Sequence, residues 1–244
     1  MAPVVTWLGQ ASFLFEAGGK RILVDPFFAE HEARLSPPLS LDEFGSRIDW
    51  VLITHEHLDH LDPFSLREVA ARSPGVTVVA PRPIADQVPG AVLVDRGDRL
   101  ELPGAGAVTV VPAVHGVEVA DGYHDDPRFV GYVLELDGVT LYHAGDTLAS
   151  DSVRAALAPL GVNVALLPIN GRTYYREQAG LVGNLDARDA VALATEIGAR
   201  VLVPIHWDLF DGNTEWPGHA ADVAAEAGAP LHVLILRRGV PWAP

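Results

Sequence analysis

The stretch Asp49-Trp50-Val51-Leu52-Ile53-Thr54-His55-Glu56-His57-Leu58-Asp59-His60 decides the reading of this chain. Residues 49–53 have the character of a buried strand, and they run directly into a turn that carries three imidazoles and Asp59 within six residues. The end of a strand presents loop side chains at one rim of a sheet. A tight turn there points His55 and His57 one way, Asp59 and His60 another. That arrangement supplies nitrogen and oxygen donors for two adjacent metal ions. The chain holds ten histidines, so three in so short a window is more than an incidental polar loop accounts for.

Working outward, short β-prone runs precede the motif at 4–8, 12–16 and 21–24, punctuated by Gly9 and Gly18-Gly19. Residues 29–47 contain proline and serine and read as an irregular surface loop. After the motif, Pro63 opens a helix over 64–71 at the position proline favours. Further strands are expected at 76–80, 91–94, 99–102 and 107–111. A hairpin follows, 129–136 and 139–142, turning on Asp137-Gly138. The pattern then becomes helix 150–157, strand 162–167, helix 187–197, strand 200–204, helix 220–227 and strand 232–236. No low-complexity linker divides the chain. The expectation is one α/β domain over 1–244, built as a four-layer αββα sandwich.

Composition narrows the chemistry. With no cysteine among 244 residues, thiol nucleophiles, iron–sulfur sites and thiolate-bound zinc are excluded. A metal has to be held by His and carboxylates, which suit Zn, Mn or Fe. The balance of 17 basic against 32 acidic residues, −15, opposes a general nucleic-acid partner. No apolar run reaches the ~20 residues of a membrane span. The first residues carry neither a basic start nor a cleavage site for a signal peptide, so a cytoplasmic location is expected. The expected partner is a small-molecule substrate, and a homo-oligomer is left open.

The His55 to His60 segment resembles the His-x-His-x-Asp-His signature of the metallo-β-lactamase superfamily. The resemblance implies a dinuclear site at the rim between two sheets. Its remaining ligands are then expected at downstream strand ends: His115, Asp146 and His206. On this reading His55, His57 and His115 hold one ion and Asp59, His60 and His206 the other, with Asp146 bridging. Water or hydroxide between the two divalent ions (Zn or Mn) is the implied nucleophile. Asp59 orients it and passes a proton to the leaving group, and His206 shares the catalytic centre. Asp25, at the end of Leu23-Val24-Asp25-Pro26, and His143 are expected behind the ligands, fixing imidazoles. His124 and His219 are candidates for a pocket rim.

A longer set of motifs resembles the L-ascorbate 6-phosphate lactonase family and its shorter relatives. These are Trp7-Leu8-Gly9-Gln10-Ala11-Ser12-Phe13, Tyr142-His143-Ala144-Gly145-Asp146-Thr147, Leu167-Pro168-Ile169-Asn170-Gly171-Arg172 and Val203-Pro204-Ile205-His206-Trp207-Asp208. The resemblance implies opening of a lactone or ester in a small, anionic or phosphorylated metabolite. His at position 57, where di-iron oxygen reducers carry a carboxylate, favours hydrolysis over redox chemistry. The segment 170–184 gathers Asn170, Arg172, Tyr174, Tyr175, Arg176 and Asn184, and its guanidiniums read as an anion clamp for the substrate, the alternative being a surface loop whose arginines pair with the surplus acids. The competing readings are a phosphodiesterase, including phospholipase-D-like chemistry with the Pro- and Leu-containing loop 35–44 meeting lipid, and a metal-binding protein without turnover.

Overall fold

The computed structural model describes residues 2–244. Fourteen strands are divided between two sheets of seven. The first contains β1 (Val4–Gly9), β2 (Ser12–Ala17), β3 (Lys20–Val24), β4 (Trp50–Leu52), β5 (Thr77–Pro81) and β6 (Val92–Val94). The second contains β7 (Arg99–Leu102), β8 (Gly106–Pro112), β9 (Val130–Leu136), β10 (Val139–His143), β11 (Val164–Pro168), β12 (Val201–Ile205) and β13 (His232–Val233). The chain then returns to the first sheet as β14 (Pro241–Trp242), giving the orders β14-β1-β2-β3-β4-β5-β6 and β13-β12-β11-β10-β9-β8-β7.

Each sheet has an antiparallel part and a parallel part. Strands β3 to β6 run parallel, as do β10 to β13. The parallel strands explain the continuous apolar runs. All five residues of β11 are buried, because both faces of the strand are covered.

Three apolar clusters account for four layers. Between the sheets, Val5, Phe13, Phe15 and Val24 pack with Val108, Tyr132, Leu134 and Leu166. Outside the first sheet, α1 (Leu41–Phe44) and α2 (Pro63–Arg72) contribute Phe44 and Val69. Outside the second, α3 (Asp151–Leu157), α5 (Ala187–Glu196) and α6 (Gly218–Glu226) contribute Leu157, Leu193 and Ala220. The αββα sandwich expected from the sequence is thus the fold. One buried hydroxyl ties the layers next to the site: Tyr132 donates to the Ile53 carbonyl at 2.6 Å.

The differences lie in short pieces. Segment 29–47 contains the single helical turn α1, capped by Ser40. Segment 170–184 contains α4 (Tyr174–Gln178), capped by Thr173. A 3₁₀ segment over Arg82–Gln87 and the two-residue β14 were not expected. The last parallel strand covers only His232–Val233, shorter than 232–236. Elements of two to six residues carry too little periodicity to be read, and a proline at a sheet edge masks β14 further.

Candidate metal centre

The loops that follow β4, β8, β10 and β12 converge on one point. After β4 the backbone turns tightly, with the amides of His60 and Leu61 both donating to the His57 carbonyl at 2.9 and 2.8 Å. The chain then enters α2, whose first amides are capped by Asp62. His115 follows β8, where its backbone pairs with His124. Asp146 follows β10, and His206 follows β12.

The seven donors form two groups. His55, His57, His115 and Asp146 make one, and Asp59, His60 and His206 the other. Within each group the donor atoms lie within 4.8 Å of one another. Asp146 reaches both groups with different oxygens. Its Oδ1 lies 3.3 Å from Nε2 of His60 and of His206, and its Oδ2 lies 3.4 Å from Nε2 of His115. His57 turns Nδ1 inward, 3.1 Å from His55 Nε2, while its Nε2 meets the Val117 carbonyl.

Buried polar atoms are almost always partnered. Here His60 Nε2 and Asp146 Oδ1 are buried without a hydrogen bond. Imidazole nitrogens and carboxylate oxygens converging on one point, two of them unsatisfied, fit divalent cations.

The electrostatics of the two groups differ. Burial drives the His55 imidazolium far below its usual range and that of His115 to about 3, so both are neutral. Burial also opposes charge on His60 and His206, but Asp146 and Asp59 outweigh it. His206 is held at about 10 and His60 well above its ordinary value. The carboxyls of Asp59 and Asp146 resist burial through the same imidazoles and stay well below the usual carboxylate range.

Behind the ligands, Asp25 accepts three hydrogen bonds: from His60 Nδ1 at 2.7 Å, from the Thr54 amide at 2.8 Å and from the Thr54 hydroxyl at 2.6 Å. The same hydroxyl lies 3.0 Å from His55 Nδ1, where it accepts a hydrogen bond from the imidazole N–H and leaves Nε2 facing the cluster. His143 is not among the converging donors. Its Nε2 meets the Ala11 carbonyl at 2.7 Å and its Nδ1 accepts from the Gly145 amide at 3.2 Å. It therefore sets the turn that delivers Asp146. Gly145 stands at φ +58°, and a Cβ there would fall 2.8 Å from Thr54.

One site residue was not singled out from the sequence. Gln10 is buried, and its amide donates to Asp59 Oδ2 at 2.8 Å. Its backbone amide donates to Asp208, and its carbonyl accepts from the amide of His206. Gln10 lay within a quoted motif, but its polar, uncharged side chain carried no signal of its own. Among the described residues, five non-glycine residues have positive φ, and Gln10, Asp25 and His206 are three of them. Strain of this kind gathers where a fold holds functional groups against local preference.

The segment 170–184 is placed differently from the anion clamp expected of it. Asn170 and Asn184 are buried and bonded to each other, Nδ2 of Asn184 to Oδ1 of Asn170 at 3.1 Å. Arg172 pairs with Asp189 at 3.4 Å and lies over the Tyr123 ring. Arg176 donates to the carbonyls of Gly212 and Thr214. Tyr174 and Tyr175 are exposed. The part of this segment that reaches the centre is Gly180 to Val182, which lines a cleft of about 320 Å³ over His57, Asp59, Asp146 and His206. His124 is bonded to Asp121, and His219 lies apart on α6, paired with Glu215. No described helix is long and apolar enough to cross a membrane.

Comparison with known proteins agrees with this geometry. Residues 20–207 match the family described as the β-lactamase superfamily domain. A UPF0173 metal-dependent hydrolase of Thermococcus onnurineus is 35% identical over 244 residues, covering 96% of each chain. One from Pyrococcus furiosus is 32% identical over 243 residues, again covering 96% of each. Among solved structures, a metallo hydrolase from Ignicoccus hospitalis superposes with a TM-score of 0.77 at 22% identity, covering 100% of both chains. An isothiocyanate hydrolase from Delia radicum gut bacteria gives 0.76 at 17% identity, covering 99% of both. At these identities the two structures speak for the fold alone.

Proposed function

The chain belongs to the β-lactamase superfamily, and from that premise we propose that it is a dinuclear metal-dependent hydrolase opening a lactone or cleaving an ester of a small metabolite. The observation that carries this reading is the divided carboxylate of Asp146, with one oxygen toward His60 and His206 and the other toward His115. His55, His57, His115, Asp59, His60, His206 and Asp146 would hold two divalent ions, Zn or Mn, which would supply a hydroxide nucleophile near neutral pH and Lewis acidity for the carbonyl.

The protein's own groups divide the remaining work. His55, His57 and His115 present nitrogen donors. Asp25 and Thr54 hold His60 and His55 in fixed orientations. Asp59 is the more open carboxylate, 18% exposed against 4% for Asp146, and it lines the cleft. It is therefore placed to take a proton from the nucleophile and return it to the leaving oxygen. His206, at the same oxygen of Asp59 (3.2 Å), keeps that carboxylate ionised. The phosphorylated metabolite suggested by the arginines of 170–184 loses that support, because Arg172 and Arg176 are engaged away from the cleft.

The test follows hydrolysis by the Mn- or Zn-loaded protein of a neutral lactone, a sugar-lactone phosphate and an activated phosphodiester, with His55→Ala as control. Carbonyl substrates turned over by the parent and not by the variant support the reading. Cleavage of the phosphodiester alone replaces it with a phosphodiesterase. Retained metal with no turnover of any substrate leaves a binding protein.

A further inference from the structure

Beyond its metal-facing groups, the cleft is walled by Leu58, Val117, Leu181, Val182, Phe210 and Asn213. Five of these six are apolar. Leu58, between two ligand residues in sequence, leaves 51% of its surface to water. Phe210 is backed by Phe27 at 5.8 Å and by the His31 ring at 5.4 Å. Among the described residues, no arginine or lysine lines the cleft.

The nearby guanidiniums are committed elsewhere. Arg172 and Arg176 are held as described above. Arg34 donates to the carbonyls of Phe27, Ala29 and Ser36. The chain as a whole carries −15. A substrate with an anionic tail would lose its hydration against aliphatic walls, with no arginine or lysine on those walls to receive it. The polar wall residue is Asn213. Its Oδ1 accepts from Asn170 at 3.0 Å, which leaves its NH₂ as a donor for an uncharged oxygen.

We infer that the cleft selects an uncharged acyl substrate with a short aliphatic or aryl chain and discriminates against carboxylate- or phosphate-bearing analogues. The inference rests on the hydrolytic reading of the metal centre. It adds the chemical class of the group that lies beside the reacting carbonyl. A volume near 320 Å³ is at the small end of ligand pockets, which limits that chain to a few carbons. The reaction is balanced as ester plus water to acid plus alcohol. Water oxygen bonds to the carbonyl carbon, the acyl–oxygen bond breaks, and the leaving alcohol keeps the electron pair and takes the proton.

Three esters with one leaving group test it: 4-nitrophenyl acetate, 4-nitrophenyl hexanoate and mono-4-nitrophenyl adipate, whose six-carbon acyl chain ends in a carboxylate. The metal-loaded protein is expected to favour hexanoate over acetate by about tenfold or more in kcat/KM, with the adipate no better than acetate. Leu181→Arg is expected to reverse the order of hexanoate and adipate. A parent that prefers the adipate overturns the inference and leaves the hydrolytic reading standing. A parent that turns over none of the three, nor the lactones named above, overturns the hydrolytic reading, and binding then decides the inference. Hexanamide titrated into metal-free protein is expected to shift the backbone amide resonances of Leu181 and Val182. The monoamide of adipic acid is expected to leave them in place. Equal binding of both, or of the acid alone, contradicts the inference.

Discussion

The side-chain amide of Gln10 donates to Asp59 Oδ2 at 2.8 Å, joining the turn after β1 to the histidine-rich loop 49 residues further along the chain. This bond holds the more open of the two carboxylates that line the cleft. Its partner is fixed in turn, because the Gln10 backbone is bonded to both Asp208 and His206. Removing the amide frees Asp59 to rotate without touching the His55, His57 and His115 group. Gln10→Ala is therefore expected to weaken the ion held by Asp59, His60 and His206 by about tenfold or more, while the other ion is retained. Competition with a chromophoric chelator measures both affinities. Equal weakening of the two would contradict the selective role.

Metal uptake should depend on pH more steeply in one half of the centre than in the other. His55 and His115 are buried and already neutral, the latter down to about pH 3, so they give up no proton on binding. His60 and His206 are held cationic, His206 up to about 10, and must lose protons before they can ligate. Raised imidazole values mean that protons compete until the pH passes them. Affinity at this half should rise between pH 6 and 9 by about tenfold per pH unit for each proton displaced. At pH 6 the first ion should bind alone. Calorimetry in buffers of different ionisation enthalpy counts the protons released. As many protons released on filling the first half as on filling the second would contradict the assignment.

Gly145 should tolerate no side chain. It sits at φ +58°, and a Cβ there would meet Thr54 at 2.8 Å. Thr54 is the residue through which Asp25 and His55 are held. Gly145→Ala is expected to cost about 1–3 kcal/mol from backbone strain and to lower the affinity of both ions, since the displaced groups serve both. Denaturant midpoints of the metal-free protein and chelator titrations of the loaded one separate the two effects. Unchanged values in both would remove Gly145 from the support of the site.

Much of the fold and of the convergence of donor side chains was legible because the information is local. A strand that ends in His-Glu-His-Leu-Asp-His announces its own rim, and His115, Asp146 and His206 each follow an apolar run. Other features are matters of three-dimensional partnership. Gln10 has no local pattern, and its role exists only through Asp59. Arg172 and Arg176 have the composition of an anion clamp. Their partners, Asp189 and the carbonyls of 212 and 214, are brought to them by α5 and by the loop after β12. The return of the chain to the first sheet as β14 was hidden because two residues, one a proline, carry no strand signature.

The central claim is that seven side chains hold two ions with Asp146 between them. Anomalous diffraction from crystals soaked in Mn or Zn at pH 8 tests it most directly. The expected result is two peaks per chain, one among His55, His57 and His115 and one among Asp59, His60 and His206, with Asp146 in contact with both. A single peak, or ions bound away from these residues in an otherwise intact protein, would contradict it.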